Sequence, residues 1–86
     1  MDAILTKLPQ RWPTFTTLDE VRQLVIANMA YNLGIGGVML FTQMIAAVVR
    51  KDYAQAAKDM LNSNWARQVG ARAHRLAKMM ETGIAP

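Results

Sequence analysis

A chain of 86 residues with 52% hydrophobic residues builds one domain over residues 1–86 with a modest core, and is too apolar for intrinsic disorder. It has no cysteine, which excludes disulfides, thiol catalysis and cysteine-ligated zinc, and a single histidine argues against an all-protein transition-metal site, so no cofactor is expected. Ten basic against six acidic residues give a net charge of +4, which suits an anionic partner such as nucleic acid, an acidic membrane surface or cell wall.

Asp2 to Leu8 forms a short predicted helix with Ile4, Leu5 and Leu8 on one face. Pro9 and Pro13 bracket a turn around Trp12, because proline pushes the residue before it out of helical geometry. Thr17-Leu-Asp-Glu20 fits a capping box, with Asp19 as a competing N-cap. The helix that follows, Leu18 to Leu33, is expected to be the long buried one. Its apolar stripe includes Val25 and Met29, with Asn28 and Asn32 at the margin. Gly34 is placed where positive φ would end it.

The uncharged run Leu24–Val49 is long enough to raise a membrane span. Two asparagines and three central glycines argue for a buried helix, a sharp break and a second helix, so no span is expected. Val38–Phe41 reads as a helical turn. Thr42 is expected to cap a helix to about Arg50, with Ile45, Val48 and Val49 inward. Asp52 caps a helix through Asn62 whose stripe is Tyr53, Ala56, Ala57, Met60 and Leu61. Ser63 caps a turn bearing Trp65, and Gly70 precedes a helix from Ala71 to Glu81 that ends at Gly83. No segment alternates with period two, so the class is all-α: short helices bundled around one long buried helix.

Glycosidic hydrolysis usually needs two opposed carboxylates, one with a raised pKa. The chain offers Asp2, Asp19, Glu20, Asp52, Asp59 and Glu81. Asp19, Glu20 and Asp52 stand at helix starts, which favour the ionised form, and none of the six reads as catalytic. His74 sits among cations on a basic helix and reads as a surface residue. Gly34-Ile-Gly-Gly37 follows no strand and precedes no Lys-Ser/Thr, so it is not a phosphate loop. Arg67, Arg72, Arg75 and Lys78 form a basic stripe. A solvated face is the simplest reading, and a polyanion surface the functional one. Ser63–Gln68 and Ala71–Glu81 could pair as a helix-turn-helix, but the second helix begins with few base-reading side chains, so nucleic acid is not favoured.

Several landmarks occur together and in order: Leu18-Asp-x-Val-Arg22, Asn28-Met-Ala-Tyr-Asn-Leu-Gly34, Gly37-Val38, Phe41, Tyr53-x-x-Ala-Ala57, Ser63-x-Trp65, Arg72-Ala73 and Thr82-Gly83. From Leu8 to Gly83 the chain resembles the C-terminal lobe of phage-type lysozymes, the endolysins or muramidases. The resemblance implies that Tyr31, Asn32 and Gly34 line a substrate cleft, with Trp65 at its rim. It also implies that Arg72 matches an arginine that orients the catalytic glutamate. It implies peptidoglycan, or a separate catalytic lobe, as partner. The family's catalytic glutamate, aspartate and threonine belong to an N-terminal lobe with no counterpart here, so no hydrolysis by the chain alone is expected. With that lobe absent, Ile4, Leu5, Leu8, Trp12, Tyr31 and Trp65 are expected to form an exposed apolar patch that favours homo-oligomers. Asp2 follows Met1 with no basic leader, so the product is expected to be cytoplasmic as synthesised, the family acting on cell wall after release.

Overall fold

The computed structural model describes residues 2–85, without the side chains of Asp2, Ala3 and Leu5. Six α-helices and one 3-10 turn make up the fold, with no strand among the described residues: α1 (Asp2–Arg11), the 3-10 turn (Pro13–Thr17), α2 (Glu20–Met39), α3 (Thr42–Val49), α4 (Tyr53–Leu61), α5 (Asn64–Val69) and α6 (Ala71–Thr82). The chain is all-α, as its periodicity predicts.

The core forms around α2. Val25, Ile26, Ala27, Met29 and Ala30 are buried along it. Met44 of α3, Met60 of α4 and Met80 of α6 meet them, each at most 1% exposed. Four fully buried methionines suit a junction of short helices at several angles, because an unbranched thioether fills irregular gaps.

Gly34 breaks α2 as expected. Its φ of 76° and ψ of 162° lie in a region open essentially to glycine alone. One further helical turn, Ile35–Met39, follows at once and buries Val38. That turn begins earlier than the Val38–Phe41 expected, because the glycine resets the chain within one residue. No single helix among the described residues is long and apolar enough to cross a membrane; α2 and α3 together would be, but they meet at 95°. A Cβ at Gly34 would meet no atom within 4 Å, so Gly34→Val tests backbone strain without a clash. It should cost about 1–3 kcal/mol in urea melts, and an unchanged midpoint would contradict the strained geometry.

Local signals at other helix ends are mixed. Asp52 and Ser63 cap α4 and α5, accepting from the amides of Gln55 and Ala66 at 3.3 and 3.2 Å. Gly83 ends α6 with a left-handed φ of 71°. Thr17 is not the cap of α2: its hydroxyl donates to Thr14 O at 2.6 Å within the 3-10 turn. Asp19 is the cap, accepting from the Arg22 amide at 3.1 Å. Thr42 is not a cap either. The cap position falls on Phe41, which makes no side-chain bond, because the preceding turn closes through Phe41 N to Val38 O. α1 continues past Pro9 to Arg11, since proline so near the helix end forfeits one bond in the last turn.

The exposed apolar patch expected at α1 is not formed. Leu8, Trp12 and Trp65 are 0%, 5% and 2% exposed, and Ile4 is partly buried against the core. α1 folds back on α2, so Ile4, Leu8 and Trp12 complete the core with Phe15, while Trp65 is buried from α5, which packs on α4 and α6. Leu5 lies outside the described side chains. Of that set Tyr31 is exposed, at 66%. Val49, expected inward, is also exposed, because α3 is short and Val48 takes the core position at its end.

Asp19 carries a pH signature. Partial burial opposes its charge, but the Arg22 guanidinium, the Arg22 amide and the positive field outweigh it and hold the carboxyl below its ordinary value of 3.8. A folded pKa below the unfolded one stabilises the fold fully above the unfolded value, and that contribution is lost as pH falls through the folded value. Stability measured against pH should therefore separate the unmodified chain from Asp19→Asn near neutrality. The two curves should converge in acid. Parallel curves throughout would show that the pair carries no linkage.

Candidate functional site

The residues singled out from the sequence fall into two groups. Asn28, Tyr31 and Asn32 are spaced i, i+3 and i+4 on α2, so they share one face of the helix. Tyr31 and Asn32 are exposed there, and so is Gly34 just beyond them. Arg72 enters from the start of α6. Its Nη2 donates to Asn28 Oδ1 at 2.9 Å, while Asn28 Nδ2 donates to Leu24 O at 2.8 Å. Both ends of the Asn28 amide are thus engaged, and the guanidinium is anchored beside Tyr31 and Asn32. Asn28 is the positioning residue here; the sequence places it at the helix margin and in a landmark but assigns it no role in the site. Its signal was its place one turn before Asn32 on a mostly buried helix.

Trp65 belongs to a different concavity. It is 2% exposed, and its ring forms a wall of an open hollow of about 540 Å³. Leu33 and Gly37 of α2, Phe41, Thr42, Asp59 and Ser63 contribute to the same hollow. The indole Nε1 is buried without a hydrogen-bond partner. An unpaired buried N–H costs about 1–3 kcal/mol, so Trp65 is held by packing despite its polar edge. The break at Gly34 sets these two groups on either side of one bend: the Asn28–Asn32 face before it, the Trp65 hollow after it.

The carboxylates are dispersed. Asp19 is committed to Arg22 at 3.0 Å. Asp52 caps α4 and lies 3.8 Å from Arg50. Asp59 accepts from Gln55 Nε2 at 3.1 Å. Glu20 and Glu81 are exposed. No charged residue is buried among the described residues, and no cluster of acids and histidine could hold a metal there. The Asp2 side chain lies outside the description.

The chain is 34% identical over 85 aligned residues to "Probable T4-type lysozyme 1" of Dictyostelium discoideum, which spans 94% of this chain and 50% of that protein. It is a relative of the T4-type lysozymes. "Probable T4-type lysozyme 2" of the same organism is 32% identical over 80% of the chain and 41% of its own length. The "Pre-baseplate central spike protein Gp5" of Enterobacteria phage T4 is 34% identical over 83% of the chain and 12% of its own length. No family model matches the chain, and no solved structure matches it. The chain spans about half the length of the first of these T4-type lysozymes and less of the other two proteins. The all-α fold and the relationship agree with the resemblance carried by the landmarks from Leu18 to Gly83.

Proposed function

We propose that the chain is the peptidoglycan-facing C-terminal lobe of a T4-type muramidase, which does not hydrolyse glycan without a second lobe carrying the acid. The relationship to two T4-type lysozymes carries the lineage. The geometry of Arg72 supports the role. Its guanidinium is exposed, fixed by Asn28, and has no carboxylate partner among the described residues. A planar fork held in this way is suited to grip a carboxylate supplied from elsewhere. Tyr31, Asn32 and Gly34 would line the cleft beside it, and the Trp65 hollow would extend that surface across the bend. The chain itself supplies no pair of opposed, desolvated carboxylates among its described residues. The product is synthesised in the cytoplasm and meets the cell wall after release.

Purified peptidoglycan should sediment the chain, and Tyr31→Ala should weaken that binding several-fold. When the remaining half of a T4-type lysozyme relative is added, any restored hydrolysis should fall by about 10²-fold in Arg72→Ala, the scale set by loss of an orienting contact. Equal restored activity in Arg72→Ala would remove Arg72 from the site. Salt-sensitive binding to DNA but not to peptidoglycan would favour a basic nucleic-acid binder instead.

A further inference from the structure

A separate hollow of about 590 Å³ lies between α1 and the bend in α2, and it shares no lining residue with the Trp65 hollow. The sequence builds it from two sides. Ile4, Lys7 and Arg11 are spaced i, i+3 and i+7, so they form one stripe along α1. Opposite them, Ala30 is the last buried residue of α2 before the break, and Ile35 is the first after it. Gly34 between the two carries no side chain, and a Cβ there would meet no atom within 4 Å, so the mouth stays open.

The chemistry of this hollow is one-sided. Ala30 is buried, and Ile4 and Ile35 rest against the core, so its floor is apolar. Among the described residues, Lys7 and Arg11 are the only charged groups that line it. Both are exposed, and neither of the ion pairs found among the described residues draws on them. They stand one helical turn apart, about 6 Å along the axis, close enough to face one anion together. Gln10 adds an amide that can both donate and accept.

A small inorganic anion would use the two cations and leave the apolar floor without a role. An apolar molecule would do the reverse. A ligand with one anionic group beside a short aliphatic side chain uses both, and the volume suits a molecule of a few residues. We propose that this hollow binds the C-terminal end of a short peptide. Arg11 and Lys7 hold its free α-carboxylate, with the guanidinium fork as the stronger partner. The last side chain, a short aliphatic one, lies against Ile4, Ala30 and Ile35. Gln10 meets the peptide group before it. The site stands on its own lining, and it does not rest on the chain facing glycan.

Titration with N-acetyl-Ala-Leu, followed through the backbone amide signals of the labelled chain by NMR, tests it. Signals of α1 and of the Gly34 bend should shift together and saturate. Capping the peptide carboxyl as its amide should weaken binding by about tenfold or more, the scale of a hydrogen bond to a charged group. N-acetyl-Ala-Ser should bind several-fold more weakly, since it leaves the floor unfilled. Arg11→Gln with Lys7→Gln should weaken binding of the free acid to that of the capped peptide. Both positions are exposed, and circular dichroism verifies the helices. Equal binding of free and capped peptide would overturn the proposal, as would binding of the free acid that ignores the double variant. So would the absence of any shift at about 10 mM peptide, which is well above a millimolar Kd. Shifts confined to the Trp65 hollow would also overturn it, and would leave the cell-wall reading standing.

Discussion

Replacing Met29 by alanine should cost about 2–5 kcal/mol, the range for removing a large unbranched side chain from a packed core. Met29 is 0% exposed on the long helix, within the same core cluster as Met44, Met60 and Met80. Those residues come from α3, α4 and α6, so a cavity at Met29 loosens the joint between all of them. A domain this small has about 5–10 kcal/mol of net stability, so the loss should lower the urea midpoint sharply, and the variant should be partly unfolded at moderate temperature. Met29→Leu keeps most of the volume and should cost less than about 1.5 kcal/mol. If both variants melted like the unmodified chain, α2 would not be the core helix.

The second large effect is expected at Arg22. Its Nε donates to Met80 O at 2.6 Å and its Nη2 to Glu81 O at 3.0 Å, two of the last carbonyls of α6. These acceptors have no partner within the helix, and a cation near them also opposes the negative end of the helix dipole. The same guanidinium lies 3.5 Å over the Tyr53 ring at the start of α4 and 3.0 Å from Asp19 at the start of α2. One side chain, 13% exposed, thus joins the ends of three helices. Arg22→Met preserves much of the stem but strands the carbonyls, and should cost on the order of 2–4 kcal/mol. The Asp19 pair adds little of that, because its carboxylate is partly open to water. Arg22→Lys should recover part of the loss, since an ammonium retains the charge and cannot span both carbonyls and the ring. Thermal melts showing no difference between the three side chains would refute this joint. Gly83 bears on the same contact, because a Cβ there would stand 2.7 Å from Arg22 Nη1.

The two residues show what could and could not be read from sequence. The burial of Met29 follows from the apolar stripe of one helix, and the positive φ of Gly34 and the helix end at Gly83 from their places after such stripes. The caps at Asp52 and Ser63 follow from oxygen-bearing side chains directly before helical segments. All of these are local. Arg22 was legible as part of a motif but not as a joint, since its acceptors lie 58 and 59 residues away. The burial of Leu8, Trp12 and Trp65 is likewise decided by how α1 and α5 fold back, which periodicity within a single helix does not specify. At Thr17 two nearby hydroxyl and carboxylate groups competed for one cap. The 3-10 turn decided it by occupying the Thr17 hydroxyl. In the candidate site, Tyr31, Asn32 and Gly34 stand where the helix pattern puts them. The Arg72–Asn28 contact required two segments 44 residues apart to meet.

On the proposed reading the chain does not hydrolyse glycan unaided. A muramidase needs a proton donor at the glycosidic oxygen and a second group to meet the developing oxocarbenium charge. Asp19, Asp52 and Asp59 are engaged in caps and side-chain contacts, and Glu20 and Glu81 face solvent. The decisive measurement is release of reducing ends from purified peptidoglycan by the chain alone. No release above a buffer control is predicted, in a preparation shown to be free of contaminating lysozyme. Turnover that persists in that preparation, and disappears when one of the chain's own carboxylates is replaced by its amide, would contradict the account.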